Sequence, residues 1–358
     1  MKTDLMLVPS DTLVLADVLD VAGGWEASEP VPPGPGVFLQ AVRNLYLSAQ
    51  CSEGSKAYDK GCASCPKHGK CDGEAVAGAR DADPEQIGLK IGAPLLAREM
   101  GGRIEPLHPA PDDIVLDEKH KDFIFAQPSY LEPLRGDFVR HDRPGLRLLT
   151  PTSRKAGAEG LGAFLTRKGV RVWAERKVER FTEGEHYVIA KRLYEIEPRT
   201  EPGDDGIVRT SLHLRLRPGV GFVLTVEIPD GRAALSVPAT VTIGKGLRTA
   251  WVEEVQIPLA DIKLKPGRRW RLCALSSMEG AASGLPTWID AKEWTTLPPY
   301  PPGGKLFAIA SRTPTRVSPG IGASVPGRVI IPAGATFFIE FNDPVRVDPS
   351  TWILAGGY

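Results

Sequence analysis

Long hydrophobic runs are missing from this sequence. No apolar stretch reaches the ~18 residues that a membrane-crossing helix requires. The opening segment MKTDLMLVPSDTLVLADVLD carries interspersed aspartates where a signal peptide would have its apolar core, so a cytoplasmic protein with no membrane partner is expected. Net charge is missing as well, because 44 basic and 44 acidic residues cancel. A chain without excess charge does not coat nucleic acid indiscriminately, so any RNA site has to be local. No repeat with a period of roughly 20–50 residues is visible, which removes solenoids and propellers but leaves room for two diverged copies of one fold. The P-loop, the GxSxG elbow and HExxH are absent too. Asp112 and Asp113 adjoin each other, yet neighbours on an extended chain point to opposite faces and do not share a metal.

What is present starts with bulk. The 358 residues, 42% of them hydrophobic, suffice for a sizeable core and about two domains. Glycine and proline number 38 and 33, together about a fifth of the chain against ~12% in average usage. Loops must therefore be long and tightly shaped.

Cysteine is concentrated. Cys51, Cys62, Cys65 and Cys71 fall in one short stretch, while Cys273 stands alone as a core residue. Four thiolates at ~2.3 Å, two of them from a CxxC knuckle, satisfy tetrahedral zinc and leave no reactive open position. His68 is able to replace one of them. An iron–sulfur cluster takes the same ligand set, and a loop with unligated thiols is the bland alternative. The segment 51–86 is too polar to build its own core, so metal binding would supply its folding free energy. A structural zinc site is expected there.

Along the chain, residues 4–16 read as a short apolar strand broken at Pro9 and Ser10, and VPPGPG at 31–36 as a stiff extended loop. From Val37 to Ala49 the residues Phe38, Val42, Leu45, Tyr46 and Ala49 recur at three- and four-residue intervals, one face of a helix with Arg43 near its border. IGAPLLA at 91–97 returns to apolar sequence after the cysteine-rich insertion. SLHLRLRPGVGFVLTVEI alternates on both sides of Pro218 and Gly219, and GRVIIPAGATFFIEF has the same form. Each reads as a β-hairpin. Further strand-like runs lie at 238–243, 248–258, 269–276 and 305–311. The expected class is α+β with two linked antiparallel sheets, divided at about residue 210 into domains 1–210 and 211–358, an approximate boundary that allows strands to be exchanged between the halves.

Between Arg140 and Arg180, eleven basic residues face four acidic ones. Arg154 and Lys155 in this stretch are candidates for phosphate contact, since the arginine fork meets phosphate oxygens bidentately; a solvated charged face is the plain alternative. The GKG turn at 244–246, with Lys245 and Arg248, offers backbone N–H groups unobstructed by side chains. Arg312 and Arg316 flank prolines in a loop after a strand. His108 and His186 are candidates for general acid–base work on an RNA 2′-hydroxyl, because imidazole titrates near neutrality; a structural role is the alternative for each.

Several of these stretches, in order along nearly the whole chain, resemble the third subunit of the Cmr (type III-B) CRISPR effector complex, of the RAMP superfamily. PSDTLVLADVLDV resembles that family's first strand and loop, and VPPGPGVFLQAVRNLYL its proline-rich lead-in to a helix, with Arg43 at the helix arginine position. IGAPLLAREMGGRIEPLHPAPDDIV, IVRTSLHLRLRPGVGFVLTVE and TIGKGLRTAWVE are similar to its Gly-Pro-Phe-Leu segment, its hairpin and its Gly-Gly turn. ASRTPTRVSPG and VIIPAGATFFIEF resemble its closing elements. The chain departs from the pattern at Ala16 and Leu19, where the family has arginines, and in the cysteine-rich insertion.

The resemblance implies two ferredoxin-like, RRM-related RAMP domains that grip the repeat-derived 5′ tag of a guide RNA without cleaving it. The implied partners are that RNA, the large polymerase-like CRISPR subunit and the backbone RAMP subunits of an antiviral defence complex. Two other readings stay open: a metal-independent RAMP endoribonuclease using His108 or His186, and a zinc-bearing protein–protein adaptor.

Overall fold

The computed structural model describes residues 1–18, 35–50, 89–117, 122–128, 149–151, 156–157, 162–175, 180–202, 208–232, 234–243, 248–257, 264–281, 285–311, 315–317, 328–347 and 353–357. It is built mostly of antiparallel strands with few helices, in keeping with an α+β class. Two compact units form, each from two separate stretches of chain: residues 1–106 with 193–258, and residues 107–192 with 259–358. No helix among the described residues is long and apolar enough to cross a membrane.

In the first unit, antiparallel strands lie in the order Leu95–Met100, Val220–Glu227, Lys2–Pro9, Arg248–Glu254, Ala239–Ile243. Leu5 stands opposite Leu224 on one side and Glu254 on the other. The helix Pro35–Gln50 starts where the proline run ends, proline being well suited to a first helical turn. Its periodic residues Phe38, Val42, Leu45 and Tyr46 are buried as expected. Phe38 packs on Phe222 with ring centroids 4.7 Å apart. On the opposite sheet face Met6, Ala97 and Val223 form a second apolar cluster. Val220–Glu227 is therefore buried on both faces, and at Gly221 a Cβ would come within 2.9 Å of the Leu7 carbonyl oxygen. A separate three-stranded sheet joins Tyr194–Pro202, Val208–Leu216 and Leu13–Val18.

The second unit centres on four strands in the order Lys305–Ala310, Thr336–Val345, Gly267–Ala274, Ile353–Gly357. Trp270, Leu272, Phe337 and Ile339 from this sheet pack with Trp288 and Tyr300 in the core. The short helix Arg167–Glu175 lies against the Ile353–Gly357 strand and buries Val170, Val172, Trp173 and Ala174.

Neither expected hairpin forms. The two arms around Pro218 and Gly219 pair with different sheets: Val208–Leu216 joins the three-stranded sheet, and Val220–Glu227 joins the five strands around Lys2–Pro9. Likewise Arg328–Ile331 pairs with Met278–Gly280 and Thr315–Val317, whereas Thr336–Val345 pairs with Gly267–Ala274 and Lys305–Ala310. Both tight turns are corners at which the chain leaves one sheet for another. The second arm of each carries contiguous apolar residues, Phe222-Val223-Leu224 and Phe337-Phe338-Ile339, all buried. Such a run fits a strand covered on both faces better than a half-exposed hairpin arm.

Candidate nucleic-acid interface

Within the first unit, the turn between Lys2–Pro9 and Leu13–Val18 carries Asp11. The turn is pinned on both sides of that residue: the Ser10 N–H donates to the Thr249 carbonyl at 2.9 Å, and Thr12 Oγ1 shares a buried 2.9 Å hydrogen bond with His213 Nδ1. Three guanidinium groups from three other strands converge on the Asp11 carboxylate. Arg248 donates to Oδ2 at 2.7 Å, while Arg215 and Arg199 stand 3.8 and 3.9 Å from Oδ1. Glu197 accepts from Arg215 through both Nε and Nη2, and from Arg199 at 3.2 Å.

The electrostatics follow from this crowding of cations. The Thr12 N–H and then the arginines hold Asp11 below its ordinary carboxylate range, against some opposing desolvation. The hydrogen bond from Arg215, reinforced by Arg199, lowers Glu197 to about 2. Glu195 is a third carboxylate whose charge acts on Arg215, so the cluster is a network of both signs on a partly exposed surface.

A family model described as "CRISPR-associated protein (Cas_Cmr3)" matches residues 19–351. The chain belongs to this Cas_Cmr3 family. No curated protein matches it. Among solved structures, a chain of the type III-B Cmr-beta complex bound to cognate target RNA is 10% identical, with a TM-score of 0.43 over 94% of this chain and 86% of that one. A chain of the Csm3–Csm4 subcomplex of the type III-A interference complex is 11% identical, with a TM-score of 0.44 over 97% and 96%. A chain of the Csm1–Csm4 cassette in complex with pppApA is 13% identical, with a TM-score of 0.34 over 98% and 100%.

For this Cas_Cmr3 protein, the residues singled out from sequence are distributed as follows. Arg248 belongs to the Asp11 cluster. Arg43 lies on the helix Pro35–Gln50 but is buried, with 7% of its surface exposed, rather than standing at the border of the apolar face. Arg316 lies on the strand Thr315–Val317 of the second unit. Arg154, Lys155, Lys245 and Arg312 lie outside the described residues, as do Cys51, Cys62, Cys65, Cys71 and His68. Among the described residues no group of three or more metal-ligating side chains comes together. Cys273 is buried, and burial pushes its thiol well above the ordinary range.

Both histidines stand in packed surroundings. His108 pairs across the strand with Leu165; its Nδ1 is shielded and makes no hydrogen bond, and burial lowers its pKa to about 4. His186 accepts the Thr182 N–H at Nδ1, 3.0 Å away, and burial lowers its pKa, partly offset by Glu185. Asp113, paired in the sequence reading with Asp112, has a separate role. It is buried and accepts from Trp173 Nε1 at 2.8 Å and from Arg271 Nη1 at 2.9 Å, while the Arg271 guanidinium stacks 4.5 Å from the Trp173 ring centroid. Sequence reading missed Asp11, Arg199 and Arg215 as a group because 204 residues separate the first from the last. The one local signal was the alternation of Glu195, Glu197 and Arg199 along a strand.

Proposed function

We propose that this Cas_Cmr3-family chain is a non-catalytic, RNA-binding subunit of a type III CRISPR effector complex. It grips the repeat-derived 5′ tag of the guide RNA and docks the large polymerase-like subunit and the backbone RAMP subunits in the cytoplasm. The observation that carries this reading is the family match across residues 19–351. The converging guanidinium groups at Asp11 support RNA contact. A non-catalytic role is supported by the two histidines: a lowered pKa leaves each imidazole neutral, but His108 is shielded and His186 already accepts a backbone N–H at Nδ1. In this reading the two units derive from a pair of ferredoxin-like RAMP domains.

The test is to purify the native assembly, crosslink it with ultraviolet light and sequence the RNA attached to this subunit. Repeat-derived 5′ ends are expected. Absence of guide RNA from the subunit would favour the adaptor reading. Incubating the pure protein with repeat RNA is expected to yield no cleavage; cleavage lost in His108→Ala or His186→Ala would instead establish an endoribonuclease.

Cys51, Cys62, Cys65 and Cys71 are proposed to hold a structural zinc ion, since four thiolates with a CxxC knuckle suit closed tetrahedral coordination. Elemental analysis is expected to find about one zinc per chain, as such a closed site holds a single ion. Replacing Cys62 and Cys65 with serine should release it while the circular dichroism of the main fold is unchanged. Iron in place of zinc would mark a cluster.

A further inference from the structure

In the first unit the strand Ala239–Ile243 ends the sheet: it pairs with Arg248–Glu254 and, among the described residues, with no other strand. The direction of its backbone groups follows from the ladder. The Thr249 carbonyl accepts the Ser10 N–H and the Asp4 carbonyl accepts the Val255 N–H, both at 2.9 Å, so Thr249, Trp251 and Glu253 turn their N–H and C=O groups toward Lys2–Pro9. In an antiparallel ladder the residues between them turn the other way. Arg248, Ala250 and Val252 therefore bond to Ile243, Val241 and Ala239, which stand opposite them. Thr240 and Thr242 are left with their N–H and C=O groups aimed out of the sheet, and both residues are exposed. Among the described residues no backbone hydrogen bond takes these groups. Proteins guard such an edge with charges, prolines or bulges, because a bare edge recruits another strand. The same unit has a guarded edge for comparison: Tyr194–Pro202, at one side of the three-stranded sheet, carries Glu195, Glu197, Arg199, Glu201 and the internal Pro198. Ala239–Ile243 carries no charge and no proline, and its ladder has no bulge. Trp251, opposite Thr240 on the same face as both threonines, is 44% exposed.

We propose that this edge is a docking site for a β-strand of a neighbouring effector subunit, which joins the sheet beside Ala239–Ile243. The inference rests on the reading of the chain as a subunit of a complex and names one surface through which it assembles. A row of outward N–H and C=O groups at strand spacing is matched by another extended polypeptide, which offers acceptors and donors in the same alternation. A nucleic acid has no such row. The chemistry of the partner follows from the two faces. Val241 and Ile243 are buried on the face that the helix Pro35–Gln50 lies against, so the added strand carries apolar or β-branched residues there to extend that layer. On the other face an apolar side chain at alternate positions covers the Trp251 indole. Main-chain hydrogen bonds supply the affinity, and the alternation of side chains fixes the register.

The experiment uses the full chain, alone and in the native assembly purified through a tag on another subunit. Amide hydrogen exchange in peptides covering residues 239–243 is expected to slow on the order of tenfold or more in the assembly. Thr242→Pro removes an outward N–H and leaves the bonds to Arg248–Glu254 in place, a position that proline tolerates on an edge. Thr240→Lys puts a charge on the edge. Both variants are expected to keep the melting temperature of the isolated chain and to be recovered in the assembly in much reduced amount, whereas Thr242→Val, which retains the backbone groups, is recovered in full. Should Thr242→Pro unfold the isolated chain, Thr240→Lys and the exchange measurement still decide. A photo-crosslinking residue in place of Thr240 should capture a strand of another subunit. Three results would overturn the site: unchanged exchange at 239–243 in the assembly, full recovery of the folded edge variants, or capture of RNA or a second copy of this chain from position 240. An unprotected edge in a chain that still enters the assembly sinks this site and leaves the subunit reading standing; a chain that enters no such assembly sinks both.

Discussion

Arg271 is 1% exposed in the second unit, and a guanidinium so far from water has to find its compensation locally. It does so through the Asp113 carboxylate, the Trp173 carbonyl and the Trp173 ring face, which together use charge, hydrogen bonding and cation–π attraction. Removing Asp113 takes the one carboxylate from that buried cation and the acceptor from Trp173 Nε1. Asp113→Ala should lower the unfolding free energy by about 3–5 kcal/mol, read by urea denaturation. His108 supplies a pH dependence at the same scale. Its folded-state pKa, about 4, lies below the ordinary 6.5, so the unfolded chain takes up a proton that the folded chain refuses. Its contribution to stability is therefore complete above about pH 6.5 and is lost as pH falls from there toward about 4. The residue keeps an exposed edge, which reduces the full span to roughly 2–3 kcal/mol. Denaturation across pH 4–7.5 should show this decline, and His108→Gln should flatten it.

Among the elements, the helix Arg167–Glu175 shows how a short segment is held by its first turn. Thr166 caps it: its hydroxyl accepts the Gly169 N–H at 3.1 Å and donates to the Glu185 carbonyl at 2.7 Å. Gly169 is required by close approach, since a Cβ there would lie 1.9 Å from the His186 carbonyl oxygen. Thr166→Ala should cost about 1 kcal/mol, the usual loss of a cap. Gly169→Ala should cost more, because a backbone oxygen already bonded to the Thr166 N–H cannot move aside. Thermal melts of the two variants give the comparison. The corner strands carry a second expectation. Val220–Glu227 pairs with strands on both sides and is covered on both faces, so its amides should exchange with deuterium among the slowest in the first unit. Its helix neighbour was legible in the sequence: the three- and four-residue spacing of Phe38, Val42, Leu45 and Tyr46 placed the helix and its buried face. The partners of the corner strands were not, because a tight turn between alternating strands has the same local chemistry whether its arms pair together or part.

At the scale of the whole molecule, each unit takes residues from two separated stretches of the chain. The Asp11 cluster depends on that arrangement, since it unites the first turn of the chain with strands about two hundred residues further on. The net charge of zero bears on the proposed RNA contact: with no general excess to attract RNA, such binding would have to come from a local convergence of arginines. Affinity for guide RNA should accordingly fall as salt rises, with a slope corresponding to a few phosphate contacts, at ~0.7 per contact on a single strand. A salt-independent affinity would contradict this account.

The amino-acid order by itself determined the strand-rich α+β character, the position of the long helix, the central strands such as Val220–Glu227 and Thr336–Val345, and the likeness to the Cas_Cmr3 family. These depend on local periodicity and on short motifs, which act over a few residues. Only the tertiary structure decided that the two expected hairpins are corners, that Arg43 is buried, that Asp113 serves Arg271 and Trp173, and that Arg199, Arg215 and Arg248 meet at Asp11. The physical reason is range. Strand pairing and charge convergence join groups distant in sequence, and burial, which sets their energies, belongs to the packed fold.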